Sequence, residues 1–244
     1  MIAEAIEKIE SMVQPEIKTI DGHTYLIGGP EGGYKEIRPM LDIQDPISLS
    51  SLDAVITMIK TEAIKTISPV FVSVPTATSV EVFSEAMHDK RANRIIFYKA
   101  KATDVPGWDP STKLAFEQAA VALQTRFQDG GDREYCLQLL SNITTGAKVT
   151  YNDTGVATTV VTQKGVALQE NQKIRPLVKL RPYRTFQEVE QPEGLFLIRI
   201  DERGITFTEA DGGMWKLTAR KTVADYLKDA LAAEIEHGYI KVML

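Results

Sequence analysis

Five basic residues, Lys173, Arg175, Lys179, Arg181 and Arg184, fall within one short segment, with Tyr183 and Phe186 beside them. Arginine next to aromatic rings is a combination that grips phosphate and stacks on planar groups. This is the best candidate binding patch in the chain. Glu188, Glu190 and Glu193 follow at once and can neutralise it through local pairs. Three readings stay open for the segment. It can contact nucleic acid, it can hold a small nucleotide or a partner protein, or it can serve a structural or subunit-interface role.

Other residues able to do chemistry are dispersed. His23, His88 and His237 are far apart, and no HxH or HExxH spacing joins them to carboxylates, so no metal site is expected. His88 and Asp89 are adjacent, but a catalytic pair is defined by geometry and not by neighbourhood. Asp201 with Glu202, and Glu209 with Asp211, are carboxylate pairs. Hairpin loops and helix starts attract acids for simpler reasons. Cys136 is the single cysteine, which excludes an intrachain disulfide and a CxxC site, and its apolar setting reads as a core thiol. The run from Gly28 to Gly33 lacks the Lys-Ser/Thr of a phosphate loop and the GxGxxG spacing, so it reads as a plain loop. No GxSxG elbow is present. No catalytic residue and no cofactor are therefore expected.

At 244 residues, with 43% hydrophobic and 25% charged residues, the chain can build a core without a metal or disulfide staple. A net charge of −5 argues against a broad phosphate-binding face and leaves room for a small patch. No signal pattern and no apolar run of about 18 residues is seen, so the cytoplasm of a host cell is the expected location.

The elements that position these residues follow from periodicity. Ile2, Ile6, Ile9 and Val13 recur at helical spacing, giving an amphipathic N-terminal helix that packs on its own domain or on a neighbouring subunit. Asp21-Gly22 between two short apolar runs marks a hairpin. Helices are expected over 51–67, 112–127, from Tyr135 to about Ile143, and over 215–237. Strands are expected at 70–74, 79–83, 94–100 and 239–242, with a threonine-rich β segment at 148–168. The stretch 181–216 reads as three strand-like runs: a loose one at 185–190, a central strand at 195–200 buried on both faces, and 205–208, joined to it by a hairpin at Gly204. Trp215 is expected to pin the last helix onto strand 195–200.

The same stretch resembles the YfdQ-like family of phage and prophage proteins. The matching residues are Leu180 through Phe186, Glu188, Val189, Gln191, Pro192, Phe196, Arg199, Glu209 through Gly213, Trp215 and Lys216. The likeness reaches loosely back to 48–52 and departs most between Val70 and Asp109. It implies a phage-genome origin and brings no established activity, cofactor or catalytic residue. The fold expected is α+β: a mixed, mainly antiparallel sheet with a helical middle segment and a C-terminal helix. One domain, 1–244, is expected, with a helical insertion at about 109–146. The functional expectation is a non-enzymatic phage accessory protein acting as a homo-oligomer or larger assembly. The alternatives are a counter-defence protein that captures a host protein or nucleotide signal through 175–186, or a single-strand DNA accessory protein. The partners expected are the chain itself and a host or phage protein, with nucleic acid less favoured and no membrane.

Overall fold

The structure is a computed structural model that describes all residues except 1–2, 5, 7, 10–14, 29–32, 38–44, 64–68, 87–92, 110–111, 146–147, 154–157, 165–167 and 202; side chains are not described over 144–173 or at residue 63. The chain falls into two compact units, Met1–Gln44 and Asp45–Leu244.

The first unit is a three-stranded antiparallel meander, β1 (Glu16–Ile20), β2 (His23–Ile27) and β3 (Tyr34–Ile37), in the order β1-β2-β3. Asp21 and Gly22 make the first turn with φ of 51° and 80°. Two successive positive φ values match the right-handed twist of the strands they join, and Asp-Gly tolerates them. Helical residues precede the sheet, and Ile6 and Ile9 among them are exposed. None of the described residues of this unit is buried.

The second unit holds two cores. In the first, β4 (Ile47–Leu49), β5 (Val70–Thr76), β6 (Ser79–Ser84), β7 (Ile96–Lys101) and β14 (Ile240–Met243) form a five-stranded sheet ordered β14-β5-β6-β7-β4. The inner pairs are antiparallel, and the edge strands β4 and β14 run parallel to their neighbours. Val70, Val72 and Val74 alternate with less buried residues, so one face of β5 enters the core. Against this core pack α1 (Leu52–Met58), continued by a π-helical turn over Ile59–Ala63, and α4 (Met214–Ala230). The short helix α5 (Ala232–Glu236) then leads into β14.

The second core lies between helices α2 (Phe116–Thr125) and α3 (Arg133–Thr145) and the antiparallel sheet β11 (Leu177–Leu180), β12 (Gly194–Asp201) and β13 (Gly204–Glu209). A further antiparallel sheet is made by β8 (Lys148–Asp153), β9 (Thr158–Lys164) and β10 (Leu168–Lys173). The fold is α+β, mainly antiparallel, with a helical middle and a C-terminal helix.

Three local expectations are corrected. Strand β12 buries Phe196, Ile198 and Ile200 but only half-buries Leu195 and Leu197, so it has one core face and not two. Residues 185–190 form no strand. The buried Gln191 side chain organises them as a loop: its Oε1 accepts from the N–H groups of Arg184 (2.9 Å) and Thr185 (3.3 Å), and its Nε2 donates to the carbonyls of Phe186 (3.0 Å) and Val189 (3.2 Å). A fully used amide in the interior supplies the hydrogen bonds a strand ladder would have given. Finally, α4 docks on the five-stranded sheet through Ala219, Val223, Ala224 and Leu227, not on 195–200. Its anchor is this small-residue face, while Trp215 stays half-buried.

Cys136 is a core thiol. Burial, helped by the Asp132 carboxylate and opposed by Arg175, pushes it up to about 12 from an ordinary 9.0. Because the folded value is the higher, the stability this group contributes is complete below pH 9.0 and is lost as pH rises towards about 12. The native protein is expected to resist a thiol reagent at neutral pH and to react once denatured. Rapid native labelling would show that Cys136 is not held in this way.

Candidate functional site

The structure separates the basic segment residue by residue. Of Lys173 only the backbone is described, at the end of β10. The Arg175 guanidinium lies over the Tyr135 ring at 3.9 Å and pairs with Asp132 at 3.0 Å. Lys179 pairs with Glu193 at 3.2 Å. Arg181 pairs with Glu190 and approaches Glu193 at 3.7 Å. Phe186 is 1% exposed and belongs to the first core, so its ring is not on a binding surface. Two of the three expected neutralising acids thus act as such. The third, Glu188, instead accepts the backbone N–H of Leu52 at 2.6 Å, at the start of α1.

Arg184 and Tyr183 have a different setting. They line a cleft of about 360 Å³ with Trp108, Pro182, Glu209, Trp215, Lys216 and residues 105–107. The Arg184 side chain is only 10% exposed. One terminal nitrogen donates to Glu209 Oε1 at 2.7 Å, and the other reaches the Pro192 carbonyl at 3.4 Å. The guanidinium lies 4.0 Å from the Trp215 ring centre and 5.7 Å from that of Phe196. Burial lowers its pKa to about 10, against the opposing pull of Glu209 and Asp211, and it remains a cation at neutral pH.

The two tryptophans come from distant segments. Trp108 follows Pro106-Gly107 and packs edge-on against Phe127 (4.9 Å) and Phe196 (5.3 Å). Trp215 sits in the first turn of α4, behind Gly212 and Gly213, whose φ values are 63° and 79°. The Asp211 carboxylate fixes that entry by accepting the Gly213 N–H at 2.9 Å. Both Arg184 Nε and Trp215 Nε1 are buried with no hydrogen-bond partner. The cleft therefore offers indole surface and a fixed cation, while these two N–H groups are covered.

The remaining candidates stay apart. Asp201 bonds Lys113 and the Arg203 N–H, which hold its carboxyl below the usual range. Glu209 accepts from Arg184, and Asp211 accepts the Gly213 N–H. His237 contacts the Ala233 carbonyl and stacks on Tyr239. His88, Asp89, Glu202 and 29–32 lie outside the described residues. Among the described residues, no group of three or more His, Cys, Asp or Glu side chains is placed to hold a metal, and no helix is long and apolar enough to cross a membrane.

Sequence reasoning placed Arg184 and Tyr183 in a binding segment but missed Trp108 and Glu209 as their neighbours. No local signal links Trp108 to Arg184. Glu209 could have been found only through the β12–β13 register, which sets it opposite Phe196. Compared with known proteins, the chain matches no family model, no curated protein sequence and no solved structure.

Proposed function

We propose that the chain is a phage or prophage accessory protein of the host cytoplasm that works by self-association, as a homo-oligomer or larger assembly, without catalysing a reaction. The phage context rests on the resemblance of 180–216 to the YfdQ-like family. Self-association rests on one observation above all: the unit Met1–Gln44 has regular strands but no buried residue among those described. A meander of this size without a buried face is marginal alone and gains most from a partner surface. Ile17 (65% exposed), Tyr34 (79%), Ile20 and Ile37 present apolar area on it. Strands β1 and β3 are its two edges, each with one row of backbone groups outside the sheet. A second copy supplies both an apolar face and an edge to pair with, and identical edges suit a symmetric contact. The alternative readings, capture of a host protein or nucleotide signal through 175–186 or single-strand DNA work, would act on a segment in which Arg175, Lys179, Arg181 and Arg184 each hold a carboxylate.

Burying one such side chain is worth about 1.5–3 kcal/mol. Ile17→Lys combined with Tyr34→Ser is therefore expected to weaken association by about 100-fold or more. Light scattering should show a reduced mass, with the helical circular dichroism unchanged because neither residue belongs to the two cores of Asp45–Leu244. An unaltered mass in the double variant would contradict an interface on this unit.

A further inference from the structure

We propose that the open face of the five-stranded sheet binds single-stranded RNA. Strand register defines this face. Lys241 of β14, Phe71 of β5, Phe83 of β6 and Ile96 of β7 stand opposite one another in one row. Met243, Ser73, Glu81, Lys99 and Ser48 form the next row, and Ser79 pairs with Lys101 beyond it. Side chains alternate between the two faces of a sheet. The intervening residues, Val70, Val72, Val80, Val82 and Ala100 among them, fill the first core, so these rows point away from it. The irregularity between Val82 and Phe83 drops Phe97 from the pairing and keeps Ile96 in phase with Phe83. Phe71, Phe83 and Ile96 are half-buried and belong to neither core.

The Phe71 and Phe83 rings are 5.9 Å apart and nearly parallel, at 8°. The exposed Arg94 guanidinium lies 5.3 Å from the centre of each, held by a 2.9 Å bond to the Ser84 carbonyl. The Lys241 ammonium is 5.7 Å from the Phe71 ring centre. Aromatic rings and a guanidinium plane on neighbouring strands are a stacking surface for unpaired bases, and the cations beside them meet the phosphates. Charge then selects among the occupants. Lys99 pairs with Glu81 at 3.6 Å, but no carboxylate among the described residues holds Arg94, Lys101 or Lys241. A second copy laid symmetrically on this face would set those cations against their own counterparts, so the occupant is an anion. An acidic peptide answers the cations and leaves the rings unstacked. Ser73, on the same face of β5 beside Phe71, offers a hydroxyl to a ribose 2′-hydroxyl, which sets RNA above DNA. No residue of 175–186 or of Met1–Gln44 takes part, so the inference is independent of self-association through the N-terminal unit.

Fluorescence anisotropy of a labelled oligouridine of about ten nucleotides, titrated with the full-length protein, tests this. Saturable binding with a Kd below about 100 µM is expected at low salt. The log–log salt slope should be about −2, from the three unspent cations at about −0.7 each. The DNA oligomer of the same base should bind about fivefold more weakly, and duplex RNA or polyglutamate should compete poorly. Phe83→Leu keeps apolar bulk on the sheet but removes the ring, and should weaken oligouridine binding about tenfold. Should that variant fail to fold, Lys241→Gln at the exposed edge strand is expected to weaken it about threefold and to flatten the slope by about 0.7, with the melting temperature unchanged. The proposal is overturned by the absence of saturable binding at about 500 µM protein. Full affinity in a folded Phe83→Leu or Lys241→Gln variant overturns it, as does equal or tighter binding of the DNA oligomer, duplex RNA or polyglutamate.

Discussion

Phe186→Ala is expected to destabilise the protein by about 3–5 kcal/mol. The ring is 1% exposed and belongs to the same core as Leu52, Val80, Val189 and Leu227. Truncation removes the transfer energy of the ring and leaves a cavity. The loop that carries it cannot collapse freely, because Gln191 bonds its backbone at four points and Thr185 bonds the Ala77 carbonyl. A loss of that size is a large share of the stability of an ordinary domain. Urea denaturation followed by circular dichroism should show a much lower midpoint, with Phe186→Leu falling in between. An unchanged midpoint would mean that Phe186 is a surface residue after all, as a binding patch requires.

Gly204→Ala should cost about 3 kcal/mol or more. Gly204 opens β13 at φ 143°, which side chains rarely adopt, and a Cβ there would run into the carbonyl of Leu114. That carbonyl cannot move aside cheaply. Leu114 and Ile205 exchange two backbone hydrogen bonds of 2.9 Å, and Leu114 leads directly into α2. Gly212→Ala is the control. It has φ of 63° but open space around it, so it carries backbone strain alone and should cost about 1 kcal/mol. Equal midpoints for the two variants would remove the clash from the explanation.

The elements legible in the sequence are those whose causes are local. Asp21-Gly22 selects its turn by backbone conformation alone, and Gly204 does so between β12 and β13. Leu139, Leu140 and Ile143 place α3 by their spacing, and Val223 and Leu227 place the buried face of α4. Illegible features depend on partners far along the chain. The α4 helix is held to the five-stranded sheet in part by Arg220 Nε donating to the Val74 carbonyl at 2.8 Å, across 146 positions. No periodicity in either segment specifies that meeting, and the expected contact with 195–200 was the nearer guess. Residues 185–190 misled for a related reason. Their apolar positions serve the core, as a strand's would, but Gln191 satisfies the backbone instead of a neighbouring strand.

The candidate site divides in the same way. A cluster of cations beside aromatics is visible in sequence, but whether each cation is already spent depends on acids from other elements. Asp132 comes from the start of α3 and Glu209 from the end of β13. The Trp108–Arg184–Trp215 grouping draws on three segments and has no sequence signature.

Self-association is the central claim, and the most direct test is the mass of the full-length protein by light scattering across a micromolar concentration series. A homo-oligomer or larger assembly gives a mass at least double the 27.1 kDa chain, falling on dilution if the contact is weak. A constant 27.1 kDa at every concentration would contradict the account.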